Sequence, residues 1–269
     1  MSIYCRAPIP YAGSDGATSV ETDIHDGRAE ATSWVDAGFE VRSMPTTVAN
    51  WDDADEVIER HHPEVVEMMT AELGCDAVLI YPAQIHSPQV AAVGGKGFDP
   101  AEVAHSEYTE RYQAMLRTPR HPYLGTLAPS MKVAGVTSAD VANATRVATL
   151  QLWRNIGESA PQTPLAFCDA RTVDRAELRN HQIDEYQGVE AQFETFLVDP
   201  PAKRNKDRRW YTFPELTSDE IVLFRTYDSE RAATRMPFWT PHTAFVDPTA
   251  EDGAQPARGV ELKAICLFN

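Results

Sequence analysis

Between Trp51 and Gly74 apolar positions return with a helical period. Asp52, Asp53, Asp55 and Glu56 load the first turn with negative charge, and Val57, Ile58, Val65, Met68 and Met69 form one apolar face. The spacing predicts a helix to about Leu73, kinked or split by Pro63 and ended by Gly74. The run Ala77-Val78-Leu79-Ile80-Tyr81, stopped by Pro82, reads as a short buried strand. Glu107 to Leu116 has helical spacing, Thr118 to Pro122 breaks it, and Ser138 is placed to cap a further helix towards Val147. A strand over Thr149 to Trp153 follows. Beyond Pro164 come β-like runs at Leu165–Cys168, Gln192–Val198, Trp210–Phe213, Ile221–Tyr227, Thr243–Val246 and Val260–Phe268. Short strands at near-regular spacing predict a mainly β fold, a sandwich or barrel, with helices packed outside it. Up to about Glu30 no period is sustained and Gly, Ser, Asp and Pro are frequent, so an irregular arm is expected there.

Composition narrows the function classes. With 269 residues, 43% hydrophobic and 24% charged, the chain can bury a core and reads as one compact unit. Forty acidic against 24 basic residues give a formal charge of -16, a surface that repels phosphate backbones and anionic lipid. Neither nucleic acid nor a membrane is expected as a partner. No apolar run approaches the roughly 20 residues of a membrane span, and the start lacks a basic region followed by an apolar stretch, so the default location is cytoplasmic. Cys5, Cys75, Cys168 and Cys266 form no C-x-x-C pair and are expected as buried free thiols. The basic run Lys203 to Arg209, ahead of Trp210 and Tyr211, reads as a solvated hairpin tip or lid. Gly94 to Gly97 reads as a loop that matches no phosphate-binding pattern, and neither a serine-hydrolase elbow nor H-E-x-x-H occurs.

Among eight histidines, spacing must select. In His105-Ser106-Glu107 an imidazole and a carboxylate stand two positions apart, so in an extended segment both point to the same side. His242, at the start of a β-like run far downstream, could complete a set of two histidines and one carboxylate, the facial arrangement that holds non-haem Fe(II) with open positions. His25-Asp26 would diverge on a strand, His181 to Asp184 has helical spacing, and His61-His62 lies on the acidic helix and is expected to face solvent. Arg258, opening the last strand, could pair bidentately with a dicarboxylate such as 2-oxoglutarate, with Lys263 as the substitute. The two stand an odd number of positions apart, so a regular strand admits at most one of them to the interior.

Taken in order, Trp51-Asp52-Asp53, His62-Pro63-Glu64-Val65, Trp153-Arg154, Pro164 to Thr172, Arg209 to Pro214, Asp219 to Phe224, Tyr227-Asp228-Ser229 and Pro241 to Pro248 resemble the CmcJ/NvfI family of non-haem iron, 2-oxoglutarate-dependent oxidoreductases, which includes AsaB-like and gibberellin-desaturase-like proteins. The resemblance runs from about Phe39 to the C-terminus. It implies an N-terminal arm over residues 1–38 and, over 39–269, one double-stranded β-helix (jelly roll, cupin-like) with helical insertions. It further implies Fe(II) on His105, Glu107 and His242, 2-oxoglutarate anchored by Arg258 or Lys263, and oxidation of a C–H bond in a small natural-product-type substrate by hydroxylation, desaturation or cyclisation. Glu107 stands where aspartate is usual, Lys263 where arginine is, and His86 where an arginine is common. A homo-oligomer or a partner enzyme stays open. So do two other readings: a non-catalytic or partner-dependent subunit, and a cupin-like metalloenzyme that needs no 2-oxoglutarate.

Overall fold

The computed structural model of the protein describes residues 2–13, 16–86, 103–186, 189–202 and 208–269. The expected loop at Gly94 to Gly97 and most of the basic run at Lys203 lie outside them. The strands are β1 (Ile3–Gly13), β2 (Gly16–Asp26), β3 (Phe39–Ser43), β4 (Ala77–His86), β5 (His105–Ser106), β6 (Arg146–Asn155), β7 (Leu165–Cys168), β8 (Leu178–Tyr186), β9 (Val189–Val198), β10 (Trp210–Thr212), β11 (Glu220–Asp228), β12 (His242–Ala244) and β13 (Gly259–Phe268). They form an eight-stranded sheet ordered β1-β2-β10-β7-β12-β5-β9-β8 and a five-stranded sheet ordered β3-β11-β6-β13-β4. The neighbours in each sheet are mostly distant in sequence, as in a double-stranded β-helix, and strand pairing itself brings remote segments together.

β6 explains how the smaller sheet carries chemistry on one side only. All its residues after Arg146 are buried. Ala148, Leu150 and Leu152 pack with Val65 and Met69 of the helix His62–Leu73, while Thr149, Gln151 and Trp153 project from the opposite face, towards the larger sheet. β13, paired with β6, repeats this alternation: Leu262, Ala264 and Cys266 join the helix side, and Glu261 and Lys263 take the other.

Several local expectations are corrected. The N-terminal segment is no irregular arm. β1 and β2 form a hairpin, and β2 continues the sheet through parallel pairing with β10. Cys5, Ala7, Ile9 and Tyr11 alternate into the core, but Pro8 and Pro10 hide that alternation. The prolines are tolerated because β1 is an edge strand. Pro10 turns its carbonyl away from β2 to accept from the Ala104 N–H, so the missing donors fall on the outer side. β4 likewise runs past Pro82, because it too is an edge strand and its register against β13 shifts there: Tyr81 faces Lys263 and Gln84 faces Glu261. The acidic helix begins with an Asp53 cap, passes through a π turn over Val57–His61, and ends at Gly74 in the left-handed region. That turn rotates His61 inward. It is 1% exposed, with its ring against Trp51, and not solvent-facing as expected. The cap of the helix Ser138–Asn143 is Thr137, in a capping box with Asp140, one residue before the expected Ser138. A helix over Pro122–Ala134 fills the stretch beyond the break. All four cysteines are buried and free.

Candidate metal centre

β5 lies between β12 and β9, and the β5–β12 register sets His105 directly opposite His242. Their ring centroids are 4.4 Å apart. Glu107 follows the end of β5 on the His105 side. One donor atom from each of the three lies within 4.8 Å of the others, and all three are buried. Glu107 Oε1 is 3.5 Å from His242 Nε2 and 3.9 Å from His105 Nε2.

The two histidines are oriented alike. His105 Nδ1 lies 2.9 Å from the Val103 carbonyl and His242 Nδ1 lies 3.0 Å from the Thr240 carbonyl. A carbonyl only accepts, so each Nδ1 carries a proton and each ring turns its Nε2 towards Glu107. Ser106, on the opposite side of its strand, ties the two segments together. Its Oγ accepts from the Thr240 N–H at 3.2 Å, and its carbonyl accepts from Thr195 Oγ1 at 2.8 Å. Thr240 Oγ1 in turn donates to the Gly38 carbonyl. Gly38 has φ of 103°, and a Cβ there would come within 2.4 Å of Thr240 Oγ1, so glycine is required where the loop meets the histidine segment.

Burial works to raise the Glu107 carboxyl, but His242, Lys263 and His105 outweigh it and bring it down to about 2, so it is ionised. Burial and the neighbouring His242 push His105 down to about 4, leaving a neutral imidazole. Burial lowers His242 as well, yet the adjacent carboxylate wins and holds it above its ordinary value. Gln151 Nε2 donates to Glu107 Oε1 at 2.8 Å, whereas Glu107 Oε2 is buried with no hydrogen-bond partner among the described residues. Two imidazoles and a buried carboxylate with an orphaned oxygen form a group that could hold one metal ion.

The cluster opens on a cavity of about 170 Å³, walled by Trp153, Leu165, Ile183 and Phe193 and carrying Lys263, Glu261 and His86 on its polar side. Trp153, Leu165 and Ala257 separate it from a second cavity of about 330 Å³ lined by Phe167, Phe213 and several prolines. His105, Glu107 and His242 are thus brought together as the spacing predicts. Arg258 is not. It precedes β13, is 35% exposed and pairs with Asp52 at 2.6 Å outside the cavity, whereas Lys263 lines the wall. Since the two differ in parity, the phase of β13 admits only Lys263. Trp153 forms cavity wall, and Arg154 on the other face donates to the Ser218 carbonyl and lies over Trp51. Arg225 donates to the carbonyls of Trp34, Val35 and Pro237. Arg209 pairs with Asp169, and Arg208 is held over Tyr11 beside Glu177. Sequence reasoning missed Gln151 and Glu261. The available signal was a polar residue within an otherwise apolar strand.

A profile of the family described as oxidoreductase/YMDC permease-like domain matches residues 11–267, and the chain belongs to that family. It is 30% identical over 127 residues to the hydroxylase/desaturase CTB9 of Cercospora beticola, covering 46% of this chain and 38% of that protein. Against the hydroxylase/desaturase AsaB of Aspergillus flavus it is 29% identical over 136 residues, covering 46% of this chain and 56% of the relative. The matches thus span about half or less of these relatives' lengths. The solved structure of NvfI, an iron and alpha-ketoglutarate-dependent endoperoxidase known from Aspergillus novofumigatus, superposes with a TM-score of 0.75 at 18% identity over 99% of both chains. The shared fold is the double-stranded β-helix.

Proposed function

We propose that this protein is an Fe(II)/2-oxoglutarate-dependent oxygenase that oxidises a C–H bond of a small natural-product-type molecule. The observation that carries the proposal is the His105, Glu107 and His242 cluster lining a cavity, with each Nδ1 held by a backbone carbonyl and one carboxylate oxygen without a partner among the described residues. The relatives described as hydroxylase/desaturase and as iron and alpha-ketoglutarate-dependent support the same class. His105, Glu107 and His242 would hold the ion through two imidazole nitrogens and a carboxylate oxygen. When bound, iron and the keto acid supply dioxygen activation and the oxidant for a C–H bond.

The chain's own residues bind, orient and exclude water. The backbone carbonyls of Val103 and Thr240 hold the two rings in orientation, and Gln151 keeps Glu107 turned towards them. Lys263, not Arg258, is assigned to the distal carboxylate of 2-oxoglutarate. Trp153, Leu165, Ile183 and Phe193 give the apolar wall against which a substrate carbon is placed.

The test is anaerobic addition of Fe(II) and 2-oxoglutarate to wild type and His242→Ala, followed by visible absorption. A weak charge-transfer band in wild type that is lost in the variant is expected. Absence of the band in wild type, or its persistence in His242→Ala, overturns the proposal.

A further inference from the structure

The cavity that holds the cluster also carries a second charged group. Glu261 and Lys263 stand two positions apart on β13, on the same face, and both line the cavity. The Lys263 ammonium meets Glu261 Oε1, and Glu261 Oε2 lies 3.2 Å from His86 Nε2 on the neighbouring β4. Both side chains of the Glu261–Lys263 pair are about one-tenth exposed, so water screens them little. Burial alone would raise the Glu261 carboxyl, but Lys263 and His86 hold it well below the usual carboxylate range. The ammonium assigned to the keto acid is therefore already engaged by an ionised carboxylate of the chain itself.

We infer that Glu261 is a built-in competitor for the distal carboxylate of the co-substrate: it occupies Lys263 and weakens selection of a dicarboxylic α-keto acid over a monocarboxylic one. The inference rests on the assignment of Lys263 above. Two carboxylates that share one ammonium repel each other, and in a poorly screened cavity that repulsion is large. A guanidinium would relieve it by offering separate N–H pairs to each, whereas an ammonium is a single point charge. Glu261 has an alternative neighbour in His86, towards which it can turn when a ligand carboxylate takes its place. The departure from arginine at position 263 and the neighbouring acid thus act together.

The experiment uses the full chain loaded with Mn(II), which is redox-silent, and measures equilibrium binding by calorimetry for 2-oxoglutarate and for 2-oxobutyrate, which has the same keto-acid head and no distal carboxylate. Glu261→Gln is expected to bind 2-oxoglutarate about tenfold tighter than wild type, corresponding to about 1.4 kcal/mol, with 2-oxobutyrate little changed. Glu261→Ala should follow it, and Glu261→Asp, which keeps the charge, should stay near wild type. Unchanged or weaker 2-oxoglutarate binding in both neutral variants overturns the inference while leaving the oxygenase reading intact. Lys263→Met should abolish the preference between the two acids. An unaltered preference there removes the footing of the inference, and failure of Mn(II)-loaded wild type and variants to bind either acid overturns the proposed function as well.

Discussion

Replacing Gln151 by leucine tests how the candidate ligand set is held. Gln151 is fully buried on the central strand β6, between Phe224 of β11 and Lys263 of β13. Its amide makes the 2.8 Å hydrogen bond to Glu107 Oε1, the oxygen nearest both histidines. Leucine keeps most of the volume and removes the donor, and it also removes a buried amide oxygen that has no partner among the described residues. A hydrogen bond to a buried charge contributes roughly 1.5–3 kcal/mol. Loss of such an orienting contact typically lowers metal affinity by about 10–100-fold, and the two ranges agree because about 1.4 kcal/mol is a factor of ten. The assay is competition between the protein and a chromophoric chelator for Mn(II), with the thermal midpoint measured with and without metal. Gln151→Leu should bind metal about 10–100-fold more weakly. Its midpoint should fall in the metal-free state as well, since Glu107 then loses its one side-chain amide donor. An affinity within twofold of wild type, under conditions where His242→Ala abolishes binding, would refute the claim that Gln151 orients Glu107.

Three further outcomes are expected. Lys263→Met should raise the apparent KM for 2-oxoglutarate by about 10–100-fold, the equivalent of one charge-assisted contact, whereas Arg258→Gln, outside the cavity, should leave it unchanged; steady-state kinetics separate the two. Burial, followed by the Arg154 charge, lowers His61 to about 4, so the folded protein keeps it neutral while the unfolded chain protonates it near its usual value of 6.5. Unfolding free energy should accordingly be lost as pH falls from about 6.5 towards 4, by at most about 3 kcal/mol, and urea titrations across that window should show a shallower slope for His61→Gln. Gly259→Ala would set a Cβ 2.1 Å from Trp153 Cζ2, displacing the ring that walls the cavity. A destabilisation of about 1–3 kcal/mol and altered tryptophan emission should accompany reduced turnover, and an unperturbed spectrum would count against this packing.

Much of this molecule follows from period alone. The strand runs at Leu165–Cys168, Trp210–Phe213, Ile221–Tyr227 and Val260–Phe268 emerge from their apolar residues, and the acidic helix to Gly74 from its charged first turn and apolar face, whereas β8 does not, because His181 to Asp184 within it has helical spacing. Residues 1–38 were obscured because Pro8 and Pro10 speak against a strand unless it lies at an edge, and edge position is a property of the assembled sheet. The same holds for Pro82, where the shifted register against β13 absorbs the proline. His61 was misjudged for a local reason: the π turn at Val57–His61 rotates the following face, and a regular 3.6-residue wheel does not show it.

The candidate site divides along a related line. His105 and Glu107 could be paired because a separation of two gives a common face whatever the phase of the strand. The same rule made Arg258 and Lys263 mutually exclusive, but it could not say which of them points inward, because absolute phase is set by what the two faces of β13 pack against. Leu262, Ala264 and Cys266 meet the helix His62–Leu73, and this turns Glu261 and Lys263 to the cavity. Arg258 lies outside that alternation and finds Asp52 instead. The apolar side of the last strand therefore decides the chemistry of its polar side. A substitution that weakened the helix packing, such as Leu262→Ser, should disturb co-substrate binding through Lys263 without touching a cavity residue. Calorimetric affinities for 2-oxoglutarate unchanged in that variant, despite a lowered thermal midpoint, would show that the phase of β13 is held by its pairing with β6 and β4 alone.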